Sequence, residues 1–118
     1  MPNKLLGEIE LEIGGVAHTL RPSFEALLEM EDRAGCGVLR IAKAFFEQDI
    51  KFKYVVAVLY GGIKGANPAF DMSFSKFGQM LMDEGNMPKF AAAAATLLSK
   101  GLVGREKKIE ESPASESQ

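Results

Sequence analysis

The feature that most constrains the fold is a change of hydrophobic period at Pro22. Before it, apolar and polar residues alternate over residues 5–13 and again over Val16–Leu20. Alternation with one polar face is typical of a half-buried strand. Gly14 and Gly15 separate the two runs, and paired glycines supply the positive φ angles that a two-residue hairpin turn requires. The sequence therefore predicts an N-terminal β-hairpin.

Helical periodicity follows the hairpin. Ser23 is a suitable N-cap for a first helix, which Gly35 ends, and a second helix follows Gly37. Asp49 can cap a third helix, whose apolar stripe consists of Phe52, Val55, Val56, Leu59, Tyr60 and Ile63. Because β-branched residues crowd together there, a strand over residues 55–60 is the competing interpretation. The stripe is too long for a strand, and this favours a helix.

Two further helices complete the pattern. Ser73 caps the fourth, which Gly85 closes, and the fifth begins near Pro88 and runs to about Lys100. The expected buried row of the fifth helix is Phe90, Ala94, Leu97 and Leu98.

The fold class that these patterns predict is α+β, with an N-terminal β-hairpin followed by about five short helices. We expect residues 1–104 to form a single small domain. Residues 105–118 hold one aliphatic side chain besides Ala114, with many serines and charges, and predict a disordered C-terminal tail.

Composition excludes several classes of function. The single cysteine excludes a disulfide framework and a multi-cysteine zinc site, and the single histidine excludes most histidine-based metal sites and triads. A net charge of −2 gives no general attraction to nucleic acid. The apolar run over residues 90–95 is far short of the roughly 20 residues that span a bilayer. We expect a cytoplasmic chain with no cofactor, no bound metal, no nucleic acid and no membrane partner.

Charge is divided unevenly along the chain. Residues 1–49 carry a net charge of −4, whereas residues 50–104 carry +3. The first part can attract basic partners and the second part acidic ones, including another copy of the chain.

Cys36 is the only candidate nucleophile of interest. It stands between Gly35 and Gly37, where the start of a helix can activate a thiolate. Such activation needs a nearby base or cation, and His18 fits a packed strand histidine better than a ligand. A small loop cysteine is therefore the favoured interpretation, and no catalytic constellation is predicted.

An excess of soft apolar side chains surrounds the fourth helix. Adaptable side chains of this kind suit protein binding as well as core packing, and both interpretations stay open. The candidate partner-binding residues are Phe70, Met72, Met80, Met82 and Met87.

Short motifs along residues 7–104 resemble a known family. They are an acidic hairpin, the run Leu20-Arg21-Pro22-Ser23-Phe24, the pair Ala26-Leu27, an acidic stretch ending at Gly35, and the run Leu59-Tyr60-Gly61-Gly62-Ile63-Lys64-Gly65. This pattern is similar to the small tail assembly chaperones of long-tailed phages, in the branch found with gene transfer agents.

The resemblance implies a role without chemistry. Such a chaperone binds the tape measure protein while the tail tube polymerises, and it is absent from the mature particle. It also implies possible contact with further copies of the chain or with a longer frameshifted form of it. A structural virion subunit, of the tail tube or the head–tail junction, is the alternative. One hairpin and five helices count against a tube subunit, which we expect to need more strands. A small enzyme or thiol regulator based on Cys36 is a further alternative.

Overall fold

The central element of the fold is a long buried helix, α3 (Phe52–Ala66). The structure, a computed structural model, describes residues 2–103. Around α3 lie α1 (Phe24–Ala34), α4 (Phe74–Glu84), α5 (Met87–Val103) and the second strand of the hairpin. Every side chain of α3 from Tyr54 to Ile63 is buried, because neighbours cover it on all sides. The predicted α+β class is confirmed.

The N-terminal hairpin pairs β1 (Ile9–Ile13) with β2 (Val16–Leu20) in antiparallel register. Gly14 and Gly15 have φ angles of 60° and 80°, as the predicted turn requires. Glu84 at the end of α4 holds this turn, since its carboxylate accepts a hydrogen bond of 2.8 Å from the Gly14 N–H.

The first strand is shorter than predicted. Leu5 lies in a single 3₁₀ turn, Lys4–Leu6, and is 64% exposed. The Asn3 side chain accepts a hydrogen bond from the Leu5 N–H and caps this turn, and Gly7 follows with a φ of 75°. These local bonds compete with the extended backbone, so the strand begins only at Ile9.

The first helix carries apolar side chains on two of its sides. Its N-cap Ser23 and its left-handed Gly35 are as predicted. Its buried side chains are Ala26, Met30 and Ala34, whereas Phe24 and Leu28 are 70% and 48% exposed. The helix therefore has one apolar side in the core and a second on the surface.

The third helix differs from the prediction at both ends. Lys51, not Asp49, occupies the N-cap position. The helix also continues through Gly65 to Ala66, beyond Ile63, where the predicted apolar stripe ends. The competing strand over residues 55–60 is not formed.

The remaining helices follow the sequence closely. The second, α2 (Val38–Phe46), begins after Gly37, and α4 lies between Ser73 and Gly85. The fifth buries the expected row but runs through Gly101 to Val103 rather than ending near Lys100. The predicted tail at 105–118 lies outside the described residues.

Candidate interaction surfaces

The five predicted partner-binding residues differ in their exposure to solvent. Four of them, Phe70, Met72, Met80 and Met87, are half-buried and pack against the core. Met82 alone among the five is largely exposed, at 55%. Four of the five residues thus contribute to core packing, and Met82 exposes a larger fraction of its surface than the other four. Their role in binding a partner stays a prediction.

An aromatic cluster explains why Phe70 turns inward. Its ring lies 6.0 Å from that of Tyr60 and 6.1 Å from that of Phe77, in edge-to-face contacts. The Tyr60 hydroxyl also donates a hydrogen bond of 2.7 Å to the Met72 carbonyl. The segment before α4 therefore packs against the core and is hydrogen-bonded to it. His18 meets the same cluster at an edge of the Phe70 ring, and burial lowers the pKa of its imidazole.

Met82 belongs to a groove between α3 and α4, which we call the α3–α4 groove. Its volume is about 310 Å³. Its lining residues are Phe52, Lys53, Val56, Phe74, Ser75, Gly78, Gln79 and Met82. Gly78 contributes no side chain, so the groove is open over the Val56 methyl groups. Phe52 and Met82, at 41% and 55% exposed, leave apolar surface accessible there.

A second apolar groove lies between α2 and α5. Its lining residues are Ala42, Phe45, Phe46, Ala95, Leu98, Ser99, Leu102 and Val103. Phe46 is 89% exposed, the highest value among the large apolar side chains of the described residues. Sequence periodicity did not single it out, because a helix pattern shows which residues share a side but not which side remains uncovered.

The third apolar surface is the outer side of α1, formed by Phe24 and Leu28, which we call the α1 outer face. The two residues are one turn apart, on the side opposite to the buried Ala26 and Met30. Exposed carboxylates, including those of Glu25 and Asp32, lie beside them. The sequence already indicates a second apolar side, since α1 has more apolar residues than one buried stripe uses.

Cys36 lies at the edge of the core. Its side chain is half-buried and packs against the core. A hydrogen bond between the Tyr54 hydroxyl and Cys36 raises the pKa of Tyr54. Within residues 2–103, no group of three or more His, Cys, Asp or Glu side chains is arranged to hold a metal ion. No helix in the same range is long and apolar enough to cross a membrane.

A family model described as "Phage tail tube protein, GTA-gp10" matches residues 6–104. The chain belongs to this family. The match covers the hairpin and all five helices, and it makes the chain a relative of phage and gene transfer agent tail proteins. No curated protein and no solved structure matches the chain.

The family corrects the function that the motifs suggested. Its description is that of a tail tube protein, a structural component, so the interpretation as an assembly chaperone that binds the tape measure protein is wrong. The expected absence from the mature particle is wrong for the same reason, because tube proteins are part of that particle. The expectation that a tube subunit needs more strands is also wrong, since the described part of the matched region, residues 6–103, contains a single two-stranded sheet.

Proposed function

We propose that this chain is a structural subunit of a phage or gene transfer agent tail, built into the tube through contacts between copies. The observation that carries the proposal is the family match over residues 6–104, which spans the hairpin and every helix. The structural alternative that the sequence left open is thus the better one.

The surface of the molecule supports this proposal. Two apolar grooves and the α1 outer face expose large side chains next to one another, and neighbouring exposed apolar side chains are typical of interaction sites. A polymer of identical subunits buries such surfaces at every contact, and a subunit that repeats head to tail needs two different surfaces that fit each other. The partner we propose is therefore another copy of the chain.

The role we propose involves no chemistry by the chain itself. A Cys36→Ser variant should then assemble tails as well as the wild type does. Tails that fail to form, while the purified variant remains folded, would instead favour the thiol-based alternative.

The composition of purified tails tests the proposed function. We expect quantitative mass spectrometry to find many copies of this chain in each particle, in a constant ratio to the other tail proteins. Cells that lack the chain should produce no complete tube. If purified tails contain no copies, the chain is not a structural subunit.

A further inference from the structure

The α1 outer face has no role within the described part of the fold. The buried side of α1 packs on α3 through Ala26 and Met30, while Phe24 and Leu28 face away from it. An amphipathic helix needs one apolar side for its core. The second apolar side, which includes an aromatic residue that is 70% exposed, is suited to contact with another molecule.

The α3–α4 groove offers apolar surface for such a contact. The rings of Phe52 and Phe74 and the side chain of Met82 line it, and Gly78 leaves space between them. A groove between two helices accepts a third helix that inserts apolar side chains one turn apart. Phe24 and Leu28 have that spacing.

The α1 outer face starts at the first residue of α1, whereas the α3–α4 groove lies beside the last turn of that helix. The Arg33 guanidinium, in the last turn of α1, lies 5.4 Å from the centre of the Phe74 ring that lines the groove. Lys53, also in the groove, has its Nζ 3.5 Å from the position that a Cβ on Gly35 would take. Phe24 is the first residue of the same helix, about 15 Å from Arg33–Gly35 along its axis. A rigid helix cannot fold back on itself, so the α1 outer face cannot reach the groove of its own molecule, and a contact between the two surfaces would join different molecules.

Charge complementarity favours the same contact. Glu25 and Asp32 accompany the α1 outer face, whereas Lys53 lines the groove and Lys76 follows Ser75 on α4. The net charge of the whole sequence is divided in the same way: residues 1–49 carry −4, and residues 50–104 carry +3. Opposite potentials orient two docking surfaces and select against the wrong pairing.

We propose that the α1 outer face of one copy docks in the α3–α4 groove of the next copy, an inference that rests on the proposed function as a tail subunit. The two surfaces are different, so the contact is heterologous. Repetition of a heterologous contact produces a ring or a helical filament, the two arrangements from which a tube can be built.

A groove-filling variant tests the contact in solution. The Gly78→Leu variant should fold, because a Cβ at this position meets only Val56 methyl groups, the nearer at 3.4 Å, and leucine favours a helix. Sedimentation over a range of concentrations should show self-association weakened about tenfold or more. Ala92→Leu, which adds the same side chain at an exposed position of α5, is the control and should associate as the wild type does. If both variants self-associate as strongly as the wild type does, the proposal is overturned.

A charge exchange tests the pairing. At low salt, Glu25→Lys and Lys53→Glu should each weaken association several-fold, and the double variant should recover most of the loss, because the opposite charges meet again between copies. A double variant that is weaker than either single variant would contradict the pairing.

The segment after Gly104 is the competing occupant of the α1 outer face. A chain that ends at Gly104 should associate as strongly as the full chain. If the shortened chain self-associates tenfold more strongly or more, the segment after Gly104 covers the α1 outer face of its own molecule, and the proposal is overturned.

Cysteine cross-linking separates this contact from the proposed function. In a Cys36→Ser background, Phe24→Cys combined with Met82→Cys should give a ladder of cross-linked multimers, both in solution and in purified tails. Either cysteine alone should give no ladder. Tails that contain the double variant without a ladder would overturn the contact and leave the proposed function intact. A ladder in solution, with tails that lack the chain, would support the contact and overturn the proposed function.

Discussion

At the scale of single residues, the glycines of α3 set how closely its neighbours approach. A Cβ on Gly61 would lie 2.7 Å from the Met30 Cγ and 2.9 Å from the Ala26 carbonyl oxygen. A Cβ on Gly65 would overlap the Arg21 carbonyl oxygen and lie 2.7 Å from the Ala26 Cβ. Glycine normally weakens a helix, and here the close packing of α1 against α3 compensates.

We expect Gly65→Ala to lower the free energy of unfolding by about 2 kcal/mol, because the new methyl group meets a backbone oxygen that cannot rotate away. Urea denaturation followed by circular dichroism measures the change. The matched control is Gly78→Ala on α4, where the added atom has room and the gain in helix propensity should stabilise the protein by up to ~1 kcal/mol. Two variants of equal stability would show that α3 is not packed this closely.

Glu8 is the second residue with a large local effect. It is 9% exposed, and its carboxylate accepts hydrogen bonds of 2.8 Å from the Asn3 N–H and from the Arg21 Nε. The bond from the Asn3 backbone, together with those from Arg21, lowers the pKa of Glu8 against the opposing effect of burial. The folded state therefore favours the charged carboxylate.

Glu8→Gln should reduce the free energy of unfolding by about 2 kcal/mol at neutral pH, through loss of charged hydrogen bonds. Because the pKa is lower in the folded protein, the unfolded chain binds more protons near its own pKa, and this contribution is lost as the pH falls. The difference between wild type and variant should thus shrink below about pH 4. Urea titrations at several pH values measure it, with the exposed Glu10→Gln as control. A difference that is independent of pH would rule out this role of the Glu8 charge.

At the scale of elements, α2 depends on α1 for its start. Its N-cap is Gly37, which has no side chain to accept the first helical N–H groups. Glu31 of α1 provides the missing acceptor, through a hydrogen bond of 2.8 Å from the Val38 N–H to its carboxylate. The carboxylate also lies at the positive end of the α2 dipole. This hydrogen bond links the start of α2 to α1.

Glu31→Ala should therefore cost about 1 kcal/mol, the usual effect of removing a helix cap. Asp32→Ala, which removes the adjacent exposed carboxylate, should change stability by less than about 0.5 kcal/mol. Hydrogen exchange at the Val38 amide provides a local measurement, and it should accelerate only in the Glu31 variant. Similar exchange in both variants would show that the cap is supplied elsewhere.

At the scale of the whole molecule, α3 connects the other elements. It packs against α1, α4, α5 and β2, and one cluster of buried apolar residues runs through all of them. Removal of any neighbour would expose part of α3 to water. We therefore propose that the hairpin and the five helices form a single cooperative unit.

Thermal and urea unfolding should then occur in one transition. The chain has no tryptophan, and its two tyrosines, Tyr54 and Tyr60, are both buried in α3, so tyrosine fluorescence reports on that helix. The midpoint of unfolding measured by tyrosine fluorescence should coincide with the midpoint measured by far-ultraviolet circular dichroism, which reports on all helices. Separate midpoints would show that part of the chain unfolds independently.

The sequence by itself determined the local structure. Alternation and two glycines defined the hairpin, and Ser23, Gly35, Ser73 and Gly85 marked the ends of α1 and α4 where the structure has them. These features depend on backbone conformation and on hydrogen bonds within a few residues, which a short segment decides for itself.

Only the tertiary structure decided which apolar residues face the core. The sequence could not show that Ala26 is buried while Phe24 is exposed, because both fit an amphipathic helix. It also could not show that the candidate residues Phe70 and Met72 are fastened inward by the aromatic cluster. The reason is the spacing between helices. Glycines in α3 let the side of α1 that carries Ala26 and Met30 pack closely against it. Phe24 and Leu28 lie on the opposite side of α1 and remain on the surface, where we propose that another copy contacts them.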